Sequence, residues 1–446
     1  MQGNYDLPPS PDMLLLGTIT AIAAGTKTRI TPVLETPLTA AWVSMLREHV
    51  LITRESDAWI IDPTLSDPSV LFILPFDDIP YRDLIVFAAL GMGKTVVFKS
   101  ITPQRIERWS AQAKQCGFTI EKTDVEGSTG LHATDIPEIF PESIPVDEND
   151  LCPFLGLLMG SRKRGSFQAG FQVSNPVRHL CTAFGFEFTV KNLTERESDP
   201  IARRMRFMNR KKTVSEHAQS FVITADFTKR PDGRQIELTL PGDEILQALL
   251  ITAKCLVAKG SLALGNVPIE PWASQILNFI RKMGCKVSVQ ETAQTSFGSS
   301  GIVTIQKFDL VGRKVECVPL YQYIPHLPSM IVLASFAESQ SVFRELQDLR
   351  LDVPDGIDTL ERCIRALGAR HGEMPDGIVM EGAKEFDGFD LPGKLPESIC
   401  GAFAVAGLRC MGTTTVNDEA VLARWPEFMA IVERLCDVRS KAGEGT

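Results

Sequence analysis

The sequence predicts an α/β fold built from six copies of one helix–strand unit, gathered into two halves of three. Three observations predict it. The first is residues 402–435, where 402–408 is small and apolar, as a closely packed helix requires. Thr413, Thr414, Thr415 and Val416 then read as a β-branched strand, with Gly412 placed to stop the helix before it. Phe428, Ile431, Val432 and Leu435 follow at helical spacing, as an amphipathic second helix. The second is a set of matching helix ends: Gln115-Cys116-Gly117, Ala183-Phe184-Gly185, Lys282-Met283-Gly284 and Ala366-Leu367-Gly368. Each sets glycine where a left-handed cap must precede a strand. The third is the repeat itself, whose period of roughly 70 residues exceeds that of solenoid repeats.

Taken in order, residues 1–12 are proline-rich and read as extended. Copies of the unit follow at 20–61, 87–120 and 155–188, joined by linkers rich in Asp, Pro and Ser at 62–69 and 134–147. Residues 193–226 interrupt the pattern with a basic run, Arg203, Arg204, Arg206, Arg210, Lys211 and Lys212, read as an exposed surface away from any cleft. The fourth copy is expected to open at Gln235 with a strand and turn (IELTLPGDE) and to continue through 249–287. The fifth spans 331–369, the sixth is 402–435, and 440–446 is a polar tail.

The totals bound the function. The chain has 446 residues, 44% apolar and 23% charged, as a globular protein with a full core does. A net charge of -9 argues against a general nucleic-acid binder. No apolar run reaches the ~20 residues of a membrane span, and the start lacks the basic residues of a signal peptide. The 10 cysteines include no Cys-x-x-Cys, and Cys116, Cys181, Cys285 and Cys363 fall among apolar residues. They read as buried reduced thiols, so a reducing cytoplasm is expected. Gly91-Met92-Gly93-Lys94-Thr95 imitates a phosphate loop, but Ala88 stands where the first glycine belongs and a helix precedes where a strand should. The 6 histidines are scattered, so neither a metal site nor a cofactor is expected. His179 and His326 each sit near apolar residues, where a structural role is the plainer reading.

The repeated unit, its six copies and the two halves resemble the enolpyruvyl transferases, above all the enolpyruvylshikimate-phosphate (EPSP) synthases. The resemblance is closest over 238–287 and 324–435. It implies a two-domain inside-out α/β barrel of βαβαββ units in pseudo-threefold halves. By analogy 14–227 forms one domain, and 1–13 with 234–438 the other, leaving 439–446 as a tail. It also implies transfer of the enolpyruvyl group of phosphoenolpyruvate to a hydroxyl, which needs several Arg and Lys for the anions and carboxylates for the protons.

Those residues are mostly replaced. The family's opening Pro-Gly-Asp-Lys-Ser reads Pro8-Pro9-Ser10-Pro11-Asp12, which puts Pro11 at the lysine. Its glycine-rich stretch before an arginine reads Pro75-Phe76-Asp77-Asp78-Ile79-Pro80-Tyr81-Arg82, and only Arg82 survives. Its Arg-Pro-Met reads Gln104-Arg105-Ile106, and its Ser-Ser-Gln reads Glu148-Asn149-Asp150. The acid–base aspartate of Pro-Asp-Leu becomes His326. Arg-Val-Lys-Glu-Ser-Asp-Arg reads Arg350-Leu351-Asp352-Val353-Pro354-Asp355-Gly356, and Asp-His-Arg reads Pro396-Glu397-Ser398. The last Ala-Lys reads Ala423-Arg424, before Trp425-Pro426.

The resemblance therefore implies an EPSP synthase-like protein without most of the family's catalytic residues. It is either non-catalytic or binds a small anionic, phosphoenolpyruvate-like ligand in the cleft through Arg82, Arg105, Arg350 and Arg424, with His326 as the candidate base. The alternative is an active carboxyvinyl transferase with another acceptor. A protein partner fits the non-catalytic reading; nucleic acid and membrane do not. Convergence of the four arginines on one cleft is the discriminating observation.

Overall fold

The computed structural model describes residues 3–47, 50–63, 72–74, 81–141, 144–147, 149–169, 175–192, 221–229, 233–257, 260–306, 309–391 and 393–436. Five four-stranded sheets and one two-stranded pair organise these residues. The second unit shows the pattern. Strand Phe72–Leu74 leads through helix Arg82–Gly91 to the parallel strand Val96–Phe98. Helix Pro103–Gln115 then leads to Thr119–Val125, which turns back as Ser128–Thr134 into the gap between the two. All four-stranded sheets share this order of one parallel and two antiparallel pairings. The last unit keeps only the parallel pair, Asp390–Leu391 with Thr415–Val416.

Two units take their first strand from far along the chain. Gly3–Asp6 pairs with Ser261–Pro268, while Ile236–Thr239 pairs with Thr28–Thr31. This corrects the reading at Gln235. The strand Ile236–Thr239 does not open the fourth unit; it completes the first unit's sheet and buries Leu238 in that core. The two chain crossings then lie side by side, with the Ser10 amide donating to Pro241 O and the Asp243 amide to Pro8 O, each at 2.9 Å.

Two hydrophobic cores result. One surrounds helices Pro11–Ala24, Arg82–Gly91 and Leu151–Ser161; the other surrounds Glu244–Leu256, Leu327–Ser335 and Glu397–Gly407. These central helices are buried on nearly every side, which is why they read as apolar without a stripe. Gly156 and Gly160 let two of them touch, since a Cβ at Gly160 would sit 2.0 Å from Ala88 O. The outer helices Gln275–Met283 and Gly356–Leu367 are amphipathic, with Arg281, Lys282 and Arg365 in their last turns. The matched helix ends are left-handed at Gly117, Gly185, Gly284 and Gly368, with φ of 85°, 73°, 114° and 83°. Gly412 is left-handed too, but helix Glu397–Gly407 ends before it.

Cys116, Cys181, Cys285 and Cys363 are all buried thiols. Among the described residues no helix is long and apolar enough to cross a membrane. The basic run at 203–212, the stretch 75–80, Glu148 and the tail 439–446 lie outside the described residues.

Candidate functional site

A cavity of about 520 Å³ opens between the two cores. Its apolar wall comes from Leu38 and Trp42 on one side and from Ile324, Leu327, Leu360 and Ile399 on the other. Tyr81 and Tyr321, with ring centres 5.7 Å apart, line it where the halves meet. Asn149 ties the halves nearby, its Oδ1 accepting from the Leu320 amide at 2.9 Å.

Arg82 and Arg105 reach this cavity together. Arg82 opens its helix just after Tyr81, whose backbone is left-handed (φ 62°) and whose ring packs on Trp272 and Tyr321. Arg105 lies in the first turn of Pro103–Gln115, where its amide donates to the Thr102 cap at 3.1 Å. The guanidinium carbons lie 5.8 and 5.9 Å from the Trp109 ring centre. Both guanidiniums donate to one oxygen, Asp352 Oδ1, at 3.0 Å from Arg82 and 2.6 Å from Arg105. Arg105 also donates to Asp348 O at 3.0 Å, and Arg108 donates to the Asp348 carboxylate. Thr102 Oγ1 donates to Leu351 O at 2.9 Å. The first half thus grips residues 348–352 of the second by charge-assisted bonds. Burial pushes the Arg105 pKa down, and the Arg82 charge adds to that; Asp83 and Asp352 oppose the fall without cancelling it.

Arg424 stands apart from the cavity and is only 1% exposed. Its Nε donates to Asp243 Oδ2 at 3.0 Å, its Nη1 to Glu397 Oε1 at 3.0 Å, and its Nη2 to Asp12. Asp12 and Asp243 sit at the two chain crossings, so this arginine fastens both. Burial raises the Asp12 and Glu397 carboxyl pKa values, while Arg424 opposes the rise in each. Pro11 occupies the first turn of its helix, where a missing amide hydrogen costs nothing.

The remaining candidates are corrected by their surroundings. Arg350 does not line the cavity; it turns outward in the short helix Gln347–Leu351 and bonds Glu373, Asp355 and the Pro375 carbonyl. His326 is fully buried off the cavity, and burial depresses its pKa to about 3. It stays neutral near pH 7 as a weakly basic imidazole, and it does not line the cavity. Its Nε2 lies 3.8 Å from Glu244 Oε2, and burial lifts the Glu244 pKa well above the usual carboxyl range, with Asp12 and Asp243 adding to the rise. The four arginines therefore do not converge: Arg82 and Arg105 meet at Asp352, Arg350 faces outward, and Arg424 is sealed at the crossings.

Sequence reasoning missed Arg108, Asp348, Tyr321 and the partnership of Asp352 with arginine. A signal existed in the spacing: Arg105 and Arg108 lie three apart on one helix face, and Asp348 and Asp352 lie four apart. Among the described residues no group of three or more His, Cys, Asp and Glu is placed to hold a metal ion.

Comparison with known proteins follows this geometry. Residues 181–432, more than half of the chain, match the family described as EPSP synthase (3-phosphoshikimate 1-carboxyvinyltransferase). A 3-phosphoshikimate 1-carboxyvinyltransferase of Desulfitobacterium hafniense is 27% identical over 202 residues, 45% of this chain and 46% of that protein. One from Roseiflexus sp. is 30% identical over 207 residues, 46% of this chain and 47% of that protein. The chain thus matches about half the length of these curated relatives. In three dimensions it is similar to the EPSP synthase of Acinetobacter baumannii, with a TM-score of 0.66 at 16% identity over 98% of this chain and 96% of that one. The enolpyruvyl transferase NikO of Streptomyces tendae gives 0.65 at 16% identity over 98% and 95%. Likeness at that identity speaks for the fold alone.

Proposed function

Because the chain belongs to the EPSP synthase family, we propose that it is a non-catalytic member that keeps the fold and binds a small molecule between its halves. The observation that carries this reading is the shared bond of Arg82 and Arg105 to Asp352. In this reading Asp352 occupies the place that a substrate carboxylate or phosphate would need. Supporting it, Arg424 is neutralised by three carboxylates of the chain, Pro11 supplies no charge, and His326 is buried and neutral. An anion entering the cavity would have to displace a carboxylate that is already hydrogen-bonded, and each such bond is worth about 1.5–3 kcal/mol.

A second reading, a transferase with another acceptor, has one observation in its favour. Lys394 lies on the cavity wall and is paired with the exposed Glu419 at 3.4 Å. A phosphate-release assay with phosphoenolpyruvate and a panel of hydroxyl acceptors, shikimate 3-phosphate among them, decides between them. The first reading predicts no release above the no-enzyme rate; turnover near the ordinary range of ~1–10³ per second would overturn it.

The same proposal divides the chain into two domains, one on each core, joined at the paired crossings. The buried thiols support assigning it to a reducing cytoplasm.

A further inference from the structure

We infer that the cavity is a receptor for an uncharged, ring-containing small molecule. The inference rests on the non-catalytic reading and adds the class of ligand to it.

Arg82 and Arg105 are held by Asp352, and Asp348 by Arg108. Asp12 and Glu397 are held by Arg424 behind the wall. Asp83 lies 3.6 Å from Arg82, and Lys394 lies 3.4 Å from Glu419. Among the described residues, every ionised group on the wall thus has a counter-charge supplied by the chain. An anionic ligand would meet Asp12, Asp83, Asp348, Asp352 and Glu397 and would have to break a pair to be neutralised. A cationic ligand would compete with arginines already seated against those carboxylates. Breaking one member out of a part-buried pair leaves the other charged and unmatched, a penalty an uncharged ligand never meets.

The rest of the wall offers what an uncharged ligand gains from. Leu38 and Trp42 face Ile324, Leu327, Leu360 and Ile399 across the cavity. Tyr81 and Tyr321 add aromatic surface, which pairs with another ring in offset or edge-on geometry. The volume of about 520 Å³ suits a drug-sized molecule. Trp42 on the wall is a built-in fluorescence donor for any ligand that absorbs its emission.

The test uses two dyes of similar shape and different charge on the full chain. N-phenyl-1-naphthylamine is neutral, and 8-anilinonaphthalene-1-sulfonate is an anion. The neutral dye should bind saturably, with energy transfer that falls in Trp42→Phe, and at least tenfold more tightly than the sulfonate. Ala41 lines the cavity yet is exposed on its helix, so Ala41→Phe fills the space without touching either core. It should weaken the neutral dye at least tenfold with an unchanged unfolding curve; Ile399→Glu should weaken the dye as well by placing a charge in the wall, with a lowered unfolding midpoint because Ile399 is buried in the second core. Tighter or equal binding of the sulfonate, unchanged binding in both variants, or no saturable binding would overturn the inference. Absence of dye binding with no phosphate release would sink this inference alone. Turnover of phosphoenolpyruvate would sink it together with the reading beneath it.

Discussion

Two arginine–carboxylate clusters in this chain use the same chemistry to different ends. At the crossings, Arg424 meets Asp12, Asp243 and Glu397, with its guanidinium carbon 5.1 Å from the Trp425 ring centre. At the cavity, Arg82 and Arg105 meet Asp352 beside Trp109. Burial separates them. The side chains of Arg424, Asp12 and Asp243 are 1%, 2% and 0% exposed, with Glu397 reaching 22% where it meets the cavity, whereas those of Arg82, Arg105 and Asp352 are 15%, 6% and 15% exposed. A sealed cluster has no water to replace a lost partner, so it acts as an anchor. A cluster at a cavity rim has water at hand to replace a lost partner, so it ties the halves together at a lower cost of disruption. The difference teaches that the arginine count of a cleft says little until each arginine's partner and exposure are known.

The comparison breaks most readily at the anchor. Arg424→Ala leaves Asp12 and Asp243 buried without a cation and should cost about 3–5 kcal/mol in urea unfolding. A cost under about 1 kcal/mol would show that the crossings are held by other contacts. The cavity cluster should yield less. Asp352→Asn keeps the shape but weakens two bonds to charged donors, a loss of about 1.5–3 kcal/mol. A loss equal to that of Arg424→Ala would erase the distinction between the clusters.

Acidity sharpens the account of the anchor's surroundings. Glu244 adjoins Asp243, and its folded-state pKa is raised. Its neutral form therefore contributes stability below about 4.5, and the contribution is lost as pH rises through the folded value. The stability of Glu244→Gln relative to the native chain should therefore rise as pH climbs above about 4.5, and a difference that does not change with pH would contradict the raised pKa. His326 works in the opposite sense. Its folded pKa is depressed from 6.5 to about 3, so its contribution is present above 6.5 and lost as pH falls. His326→Asn should therefore flatten the acid limb of a stability–pH curve, and an unchanged limb would contradict burial of a neutral imidazole. The smallest effect belongs to Arg350, whose side chain is 26% exposed among surface acids. Arg350→Ala should change stability by about 0–1 kcal/mol and leave the cavity's ligand binding intact.

What was legible in the sequence was local. Glycine at 117, 185, 284 and 368 reports a backbone angle, and β-branched runs report strands; both follow from neighbours in the chain. The fold class and the repeated unit could be read from such signals. The strand Ile236–Thr239 could not be assigned to its sheet, because its alternation is the same whichever sheet it joins and its partner Thr28–Thr31 lies some two hundred residues earlier. The site was less legible for the same reason. Arg424 and Asp12 are 412 positions apart, and Arg105 and Asp352 are 247 apart. Matching motifs identified Arg82, Arg105, Arg350 and Arg424 as cations but carried no information on which carboxylate each would meet. Asp352 falls within a motif the relatives fill with cations, and the structure pairs it with Arg82 and Arg105.

The central claim is that the chain's own carboxylates already fill the cationic site its relatives' fold would offer. Calorimetric titration of phosphoenolpyruvate into the native chain tests it most directly. The account predicts no saturable heat, with any Kd at ~1 mM or weaker, whereas binding near ~1 μM would contradict it.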